Sequence, residues 1–145
     1  MYQRIVAREV RHVWEALNGR DRGPVLHGFA RQFVYENVGA DHALGGTFRT
    51  VEEVSAHFDV LFRLLPDVDF AVRDVLVRGW PGSTAVLVRV AITASLPDGA
   101  AYVNELVQHL RLRWGKVTEV RAMVDNVRAR AALDRLPAAA AAATA

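Results

Sequence analysis

Tyr35 and Asn37 stand two apart in the run R-Q-F-V-Y-E-N-V at 31–38. In a strand, that spacing points both side chains to one face, beside Phe33. A phenol and an amide so placed can hold a water or orient a substrate oxygen, unless they simply satisfy each other. Asn104 and Gln108 share a second such face with Leu106 and Leu110. Two amides on an apolar face suit a pocket wall and can donate to a carbonyl or an enolate. Asp125 is the acid late in the last strand-like run, and an apolar site would raise its pKa toward neutral. Its parity groups it with Arg121 and Met123 rather than with Val120, Ala122 and Val124, so capping of the next segment is the alternative. His42 precedes Gly45 and Gly46 in a loop over the expected pocket mouth. Asp125, His42 and Tyr35 are thus the groups expected to act on a substrate. Trp14, Phe33, Asn37, Phe58, Phe62, Asn104 and Gln108 are expected to bind it.

Other chemistries are disfavoured. The chain has no cysteine, which removes disulfides, thiolate nucleophiles and cysteine metal sites. Of the histidines, His12 and His27 fall on polar helix sides and His57 at the margin of an apolar stripe. His109 lies opposite the Asn104–Gln108 face, toward a possible partner subunit. No pair has the i, i+4 spacing of a helical metal site, so no metal is expected. Leu44-Gly45-Gly46-Thr47 lacks a phosphate-loop frame, and no cofactor is expected. Trp14, Trp80 and Trp114, with Phe58, Phe62 and Phe70, are expected in the core and pocket wall. Eighteen basic residues against sixteen acidic ones leave a net charge of +2, a weak basis for nucleic acid binding. No leader-like segment opens the chain and no apolar run is long enough to span a bilayer, so a cytoplasmic protein is the expectation.

The elements that must position these residues follow from periodicity. The chain has 145 residues, of which 52% are hydrophobic and 23% charged, enough for one core. Val6, Val10, Val13, Trp14 and Leu17 form one helical stripe over 4–18, ended by Gly19. Asp21 and Pro24 start a second helix through Ala30. A strand over 31–38 follows. Thr50-Val51-Glu52-Glu53 is a capping box, and the stripe Val54, Phe58, Leu61, Phe62 and Leu65 makes the third helix, stopped by Pro66. Strands are expected over 69–80, 84–96, 101–114 and 117–126, joined by turns at 81–83, 98–99 and 115–116. A slip of phase near Arg73 and Asp74 predicts a bulge that helps curl the sheet. The order ααβαββββ defines an α+β fold: three N-terminal helices on a curved antiparallel sheet, leaving a hollow on the concave side. Residues 1–127 form the domain. Residues 128–145 give a short helix and a frayed alanine-rich tail.

Several stretches resemble the SnoaL-like polyketide cyclase group of the nuclear transport factor 2-like superfamily. They are V-W-E-A-L-N-G-R-D (13–21), F-V-Y-E-N-V-G (33–39), H-A-L-G-G-T (42–47), L-L-P-D (64–67), L-P-D-G (96–99) and L-R-L-R-W-G-K-V-T-E-V (110–120). The resemblance implies a cone-shaped α+β barrel and a homodimer. It implies a strand aspartate as acid and base, the role Asp125 would take. Tyr35-x-Asn37 is also similar to the water-binding pair of limonene epoxide hydrolases. There Arg89 matches the family's arginine, but the two acids fall at Ala91 and about Ala122, which argues against that activity. The expected function is a cofactor-free cyclisation, isomerisation or dehydration of an apolar, oxygenated small molecule. The alternative is a ligand-binding module without catalysis.

Overall fold

A computed structural model describes residues 1–136; the alanine-rich tail expected at 137–145 lies outside the described residues. The helices are α1 (Tyr2–Asn18), α2 (Gly23–His27), α3 (Val51–Leu64) and α4 (Asn126–Asp134). The strands are β1 (Phe29–Asn37), β2 (Gly46–Phe48), β3 (Asp69–Trp80), β4 (Ser83–Ser95), β5 (Ala101–Arg113) and β6 (Lys116–Val124). They form one six-stranded, unclosed sheet in the order β2-β1-β6-β5-β4-β3.

The expected meander is present: β3 to β6 pair antiparallel in succession. The pairing shifts between Val72 and Asp74, where the phase slip predicted a bulge. Alternation divides the sheet cleanly. Val86, Val88 and Val90 are fully buried, and Asn104, Leu106, Gln108 and Leu110 share the same inner face. Thr50 caps α3 as expected, its hydroxyl accepting from Glu53 N–H at 3.2 Å, while Glu53 reaches back to Arg49 N–H at 2.9 Å.

Four features differ from expectation. The second helix stops at His27 rather than Ala30, because Phe29 is already strand and the Gly28 carbonyl accepts from Val117 N–H. The short β2 joins the end of β1 as a hairpin, a three-residue strand too brief for a periodicity to show. β1 also runs parallel to β6, so the sheet is mixed and not wholly antiparallel. Trp80 and Trp114, expected inside, are exposed and meet edge to face at 5.4 Å beside the β3–β4 and β5–β6 turns.

The helix α1 lies along the edge strand β3. At one end Asn18 donates to Phe70 C=O at 2.7 Å and accepts from Phe70 N–H at 2.8 Å. At the other, Gln3 donates to Gly79 C=O at 3.3 Å. Arg20, the residue after the helix cap, adopts φ 65°. Its guanidinium donates to Pro66 and Val68 carbonyls and lies over the Phe62 ring, which fixes that left-handed turn. α4 starts at Asn126 and contributes Ala132 and Leu133 to the core.

The Asn18–Phe70 bridge predicts a stability effect. Asn18→Ala leaves the edge N–H and C=O of Phe70 without their side-chain partner and should lower the unfolding free energy by about 2 kcal/mol in urea titrations.

Candidate functional site

The helices do not fill the concave face. A hollow of about 480 Å³ lies between α1, α2 and the β5–β6 hairpin, walled by Val10, Val13, Val25, Leu110 and Val117. Val10 and Val13 are only half-buried because they face this space. A smaller hollow of about 80 Å³ lies toward the other end of β5 and β6, lined by Asn37, His42, Leu44, His57 and Asn126. Trp14, Tyr35 and Phe58 line both and so form the partition between them.

Tyr35 is buried, and its hydroxyl accepts from the Gln108 amide at 3.5 Å. With that oxygen accepting, its own proton remains to be donated. Burial pushes the phenol up to about 12, so it stays protonated at neutral pH. Gln108 faces the larger hollow. Asn37 faces the smaller one, but its amide donates to Gly46 C=O at 3.3 Å and not to Tyr35.

The other expected site residues separate. Asn104 lines neither hollow; its amide is consumed by Tyr102 Oη at 2.7 Å, Asp125 C=O at 3.0 Å, Glu105 N–H at 2.8 Å and Asp125 N–H at 3.2 Å. It ties β5 to the start of α4 instead of offering donors to a ligand. Asp125 is exposed and caps α4, accepting from Val127 and Arg128 N–H at 3.0 and 3.1 Å. The parity of its strand turns it outward, so the capping alternative describes it and the proton-transfer role falls away. Phe33 stacks on Phe29 at 4.0 Å, and Phe62 lies against Phe58 under Arg20; neither lines the two hollows. Arg89 lies on the outer face, paired with Glu105 at 3.5 Å. Its neighbour Ala91 pairs with Glu105 in register, whereas Ala122 lines the smaller hollow.

His42 does reach the smaller hollow, but both ring nitrogens are engaged. Nδ1 accepts from Leu44 N–H at 3.2 Å. Nε2 then carries the proton and donates to Asn126 Oδ1 at 2.9 Å, while Asn126 Nδ2 donates to Val38 C=O at 3.1 Å. His42 is therefore the pin that fastens the 38–45 loop to α4.

Sequence reasoning missed His57. It sits one residue before Phe58, among the Tyr35, Phe48 and Phe58 rings at centroid distances of 6.2, 4.9 and 5.8 Å. Its imidazole has no side-chain hydrogen bond among the described residues. Burial, and secondarily the charge of His42, lowers its pKa to about 4. The signal was faint, because the Phe48 wall belongs to a strand with no visible pattern. No group of three or more potential metal ligands gathers among the described residues.

Comparison with known proteins supplies the context. Residues 10–120 match the SnoaL-like domain. A candidate SnoaL-like polyketide cyclase from Jannaschia sp. CCS1 superposes with a TM-score of 0.71 at 20% identity, over 88% of this chain and 90% of that one. PrhC from Penicillium brasilianum NBRC 6234 gives 0.78 at 18%, over 97% and 94%. TerC, co-crystallised with polyporic acid, gives 0.74 at 17%, over 89% and 98%. No curated protein sequence matches significantly.

The environment of His57 predicts a pH dependence. Its folded pKa of about 4 lies below the ordinary 6.5, so between these values the unfolded chain binds the extra proton. Its contribution is complete above about pH 6.5 and is lost as pH falls toward 4, by about 3 kcal/mol. Urea titrations at pH 7 and pH 4.5 should show that His57→Phe removes much of the wild-type acid sensitivity.

Proposed function

This chain belongs to the SnoaL-like family, and on that premise we propose that it binds an apolar, oxygenated, polyketide-like molecule and converts it by proton transfer. The class of reaction is cyclisation, isomerisation or dehydration. Each is redox-neutral, so the atoms balance with no cofactor. The carrying observation is the hollow of about 480 Å³, apolar in its walls, with the Tyr35 phenol and Gln108 amide as inward polar tips. That volume matches a drug-sized ligand. The protonated phenol and the amide would hold a ligand carbonyl or enolate oxygen. Trp14 and Phe58 would press on the ligand body and fold it toward a reactive conformer, which by itself lowers the barrier. Exposed Glu9, His12 and His27 stand at the rim. The family supports a small-molecule enzyme or binding fold, and the polyporic acid complex of TerC is consistent with a ligand of this kind. In this reading the substrate is met in the cytoplasm.

A non-catalytic carrier is the second reading. It is favoured by one observation: among the described residues, Glu9 at the rim is the only carboxylate lining either hollow.

A homodimer also belongs to the proposal. The outer sheet face exposes Leu76, Leu87 and Met123, with Leu76 opposite Leu87 and Leu87 opposite His109. Apolar side chains in adjacent rows favour burial against a second copy.

Three measurements check these assignments. Isothermal titration with 1,8-dihydroxyanthraquinone should show micromolar binding to the wild type. Val10→Trp, which fills the larger hollow, should weaken it at least about tenfold; equal binding would place the ligand elsewhere. Mass spectrometry of substrate mixtures then separates turnover from carriage. For the dimer, Leu87→Glu should sediment as a monomer with an unchanged circular dichroism spectrum, and a wild type that is itself monomeric would refute the interface.

A further inference from the structure

One end of the molecule combines exposed aromatic rings with a concentration of positive charge. Trp80 and Trp114 are 59% and 66% exposed, although large rings gain most by burial. Their indoles meet edge to face, and the backbone N–H of Trp114 donates to Pro81 C=O at 2.7 Å, so the two turns are tied into one platform. The Trp80 indole lies across Gly82, in the space a side chain there would need. Trp114 and Gly115 make the two-residue turn between β5 and β6, with φ of 51° and 79°. Such a turn favours asparagine at its first position, so the Trp114 ring is held outward against a backbone preference.

Charge is placed just as unevenly. The start of α1 is fastened to this end, with the Tyr2 hydroxyl on Thr84 Oγ1 at 2.5 Å and Gln3 donating to Gly79 C=O. Residues 1–8, 78–85 and 111–117 carry Arg4, Arg8, Arg78, Arg111, Arg113 and Lys116, all exposed, and no Asp or Glu. Glu9 and Glu119 lie just beyond these segments, Glu119 opposite Arg111 in the ladder. The net charge of +2 therefore conceals a local excess. The larger hollow reaches the same end, where Tyr2, Ile5, Leu112 and Gly115 line it.

We propose that this end docks on the surface of a bilayer rich in anionic phospholipid, with the Trp80 and Trp114 rings at headgroup depth and the cations on the lipid phosphates. Indole has an apolar body and a polar N–H, which suits it to that boundary. Each basic side chain adds an attraction to the anionic surface that salt screens. Among the described residues no helix is long and apolar enough to cross a bilayer, and the contact proposed is with its surface. A nucleic acid would use the cations and the rings but not the apolar hollow beside them. An apolar ligand dissolved in a bilayer reaches that hollow without crossing water. The docking goes beyond the ligand-site reading above; only this route into the hollow rests on it.

The test sediments the full chain, without ligand, with vesicles of equimolar phosphatidylglycerol and phosphatidylcholine, and with vesicles of phosphatidylcholine alone. The wild type should bind the anionic vesicles at least about tenfold more tightly than the neutral ones and release them in high salt. Trp80→Ser combined with Trp114→Asn, which gives the turn its favoured residue, should weaken binding at least about tenfold with an unchanged far-ultraviolet circular dichroism spectrum. Arg78→Glu combined with Arg113→Glu should weaken it by a similar factor. A wild type that stays in the supernatant overturns the proposal, as does anionic binding that neither pair of substitutions reduces. A short DNA duplex that binds more tightly than the vesicles, and loses affinity in the same variants, assigns the surface to nucleic acid. Variants that change the oligomeric state in sedimentation velocity assign it to a second copy. Either result overturns the membrane contact. Because no ligand is present, loss of vesicle binding leaves the ligand-site reading to its own titration, and a failed titration leaves the vesicle result standing.

Discussion

The parallel seam between β1 and β6 is the constraint on which the interior depends. It sets Tyr35 opposite Val120 and Asn37 opposite Ala122. The neighbouring antiparallel pair sets Gln108 opposite Ala122. Together these registers bring the phenol of Tyr35 across β6 to the amide of Gln108 and create the wall between the two hollows. Parallel strands need a long crossover, and here it is the chain from β2 through β5. The seam is held at its start by Val117 N–H on the Gly28 carbonyl and by the Lys116 ammonium on the His27 carbonyl. A one-residue slip would turn Tyr35 outward and merge the hollows.

Position along a strand decides what a buried amide can do. Asn104 and Gln108 face the same way on β5, four residues apart. Asn104 lies where β6 gives way to α4, so the backbone of Asp125 offers both a donor and an acceptor. Its hydrogen-bonding capacity is used up, and it acts as a fastening. Gln108 lies deeper, where every neighbouring backbone group is committed to the ladder. Its amide donates instead to the Tyr35 hydroxyl. The same reasoning separates the two histidines. His42 is in a loop whose free N–H groups and nearby Asn126 occupy its nitrogens. His57 is on a helix, whose backbone is satisfied internally, and it is surrounded by rings.

Much of the fold was legible in local pattern. The capping box, the aromatic stripe of α3, the alternation of β4 and β5 and the bulge at Val72–Asp74 are each written in a few adjacent residues. Parity alone told that Tyr35 and Asn37 share the inner face and that Asp125 does not. The exposed Trp80 and Trp114 were not legible, because large apolar residues are buried more often than not and nothing nearby marks an exception.

The sequence by itself determined which residues are helical, which alternate, and which side chains share a face, since these depend on steps of two, three and four along the chain. The tertiary structure decided which of those faces meet, because meeting is a matter of strand pairing across distant segments. It alone placed β1 beside β6, spent Asn104 and His42 on fastening, and left His57 facing open space. Hydrogen-bond satisfaction is a property of three-dimensional neighbours, and a residue's freedom to act on a ligand is what remains after those neighbours have been served.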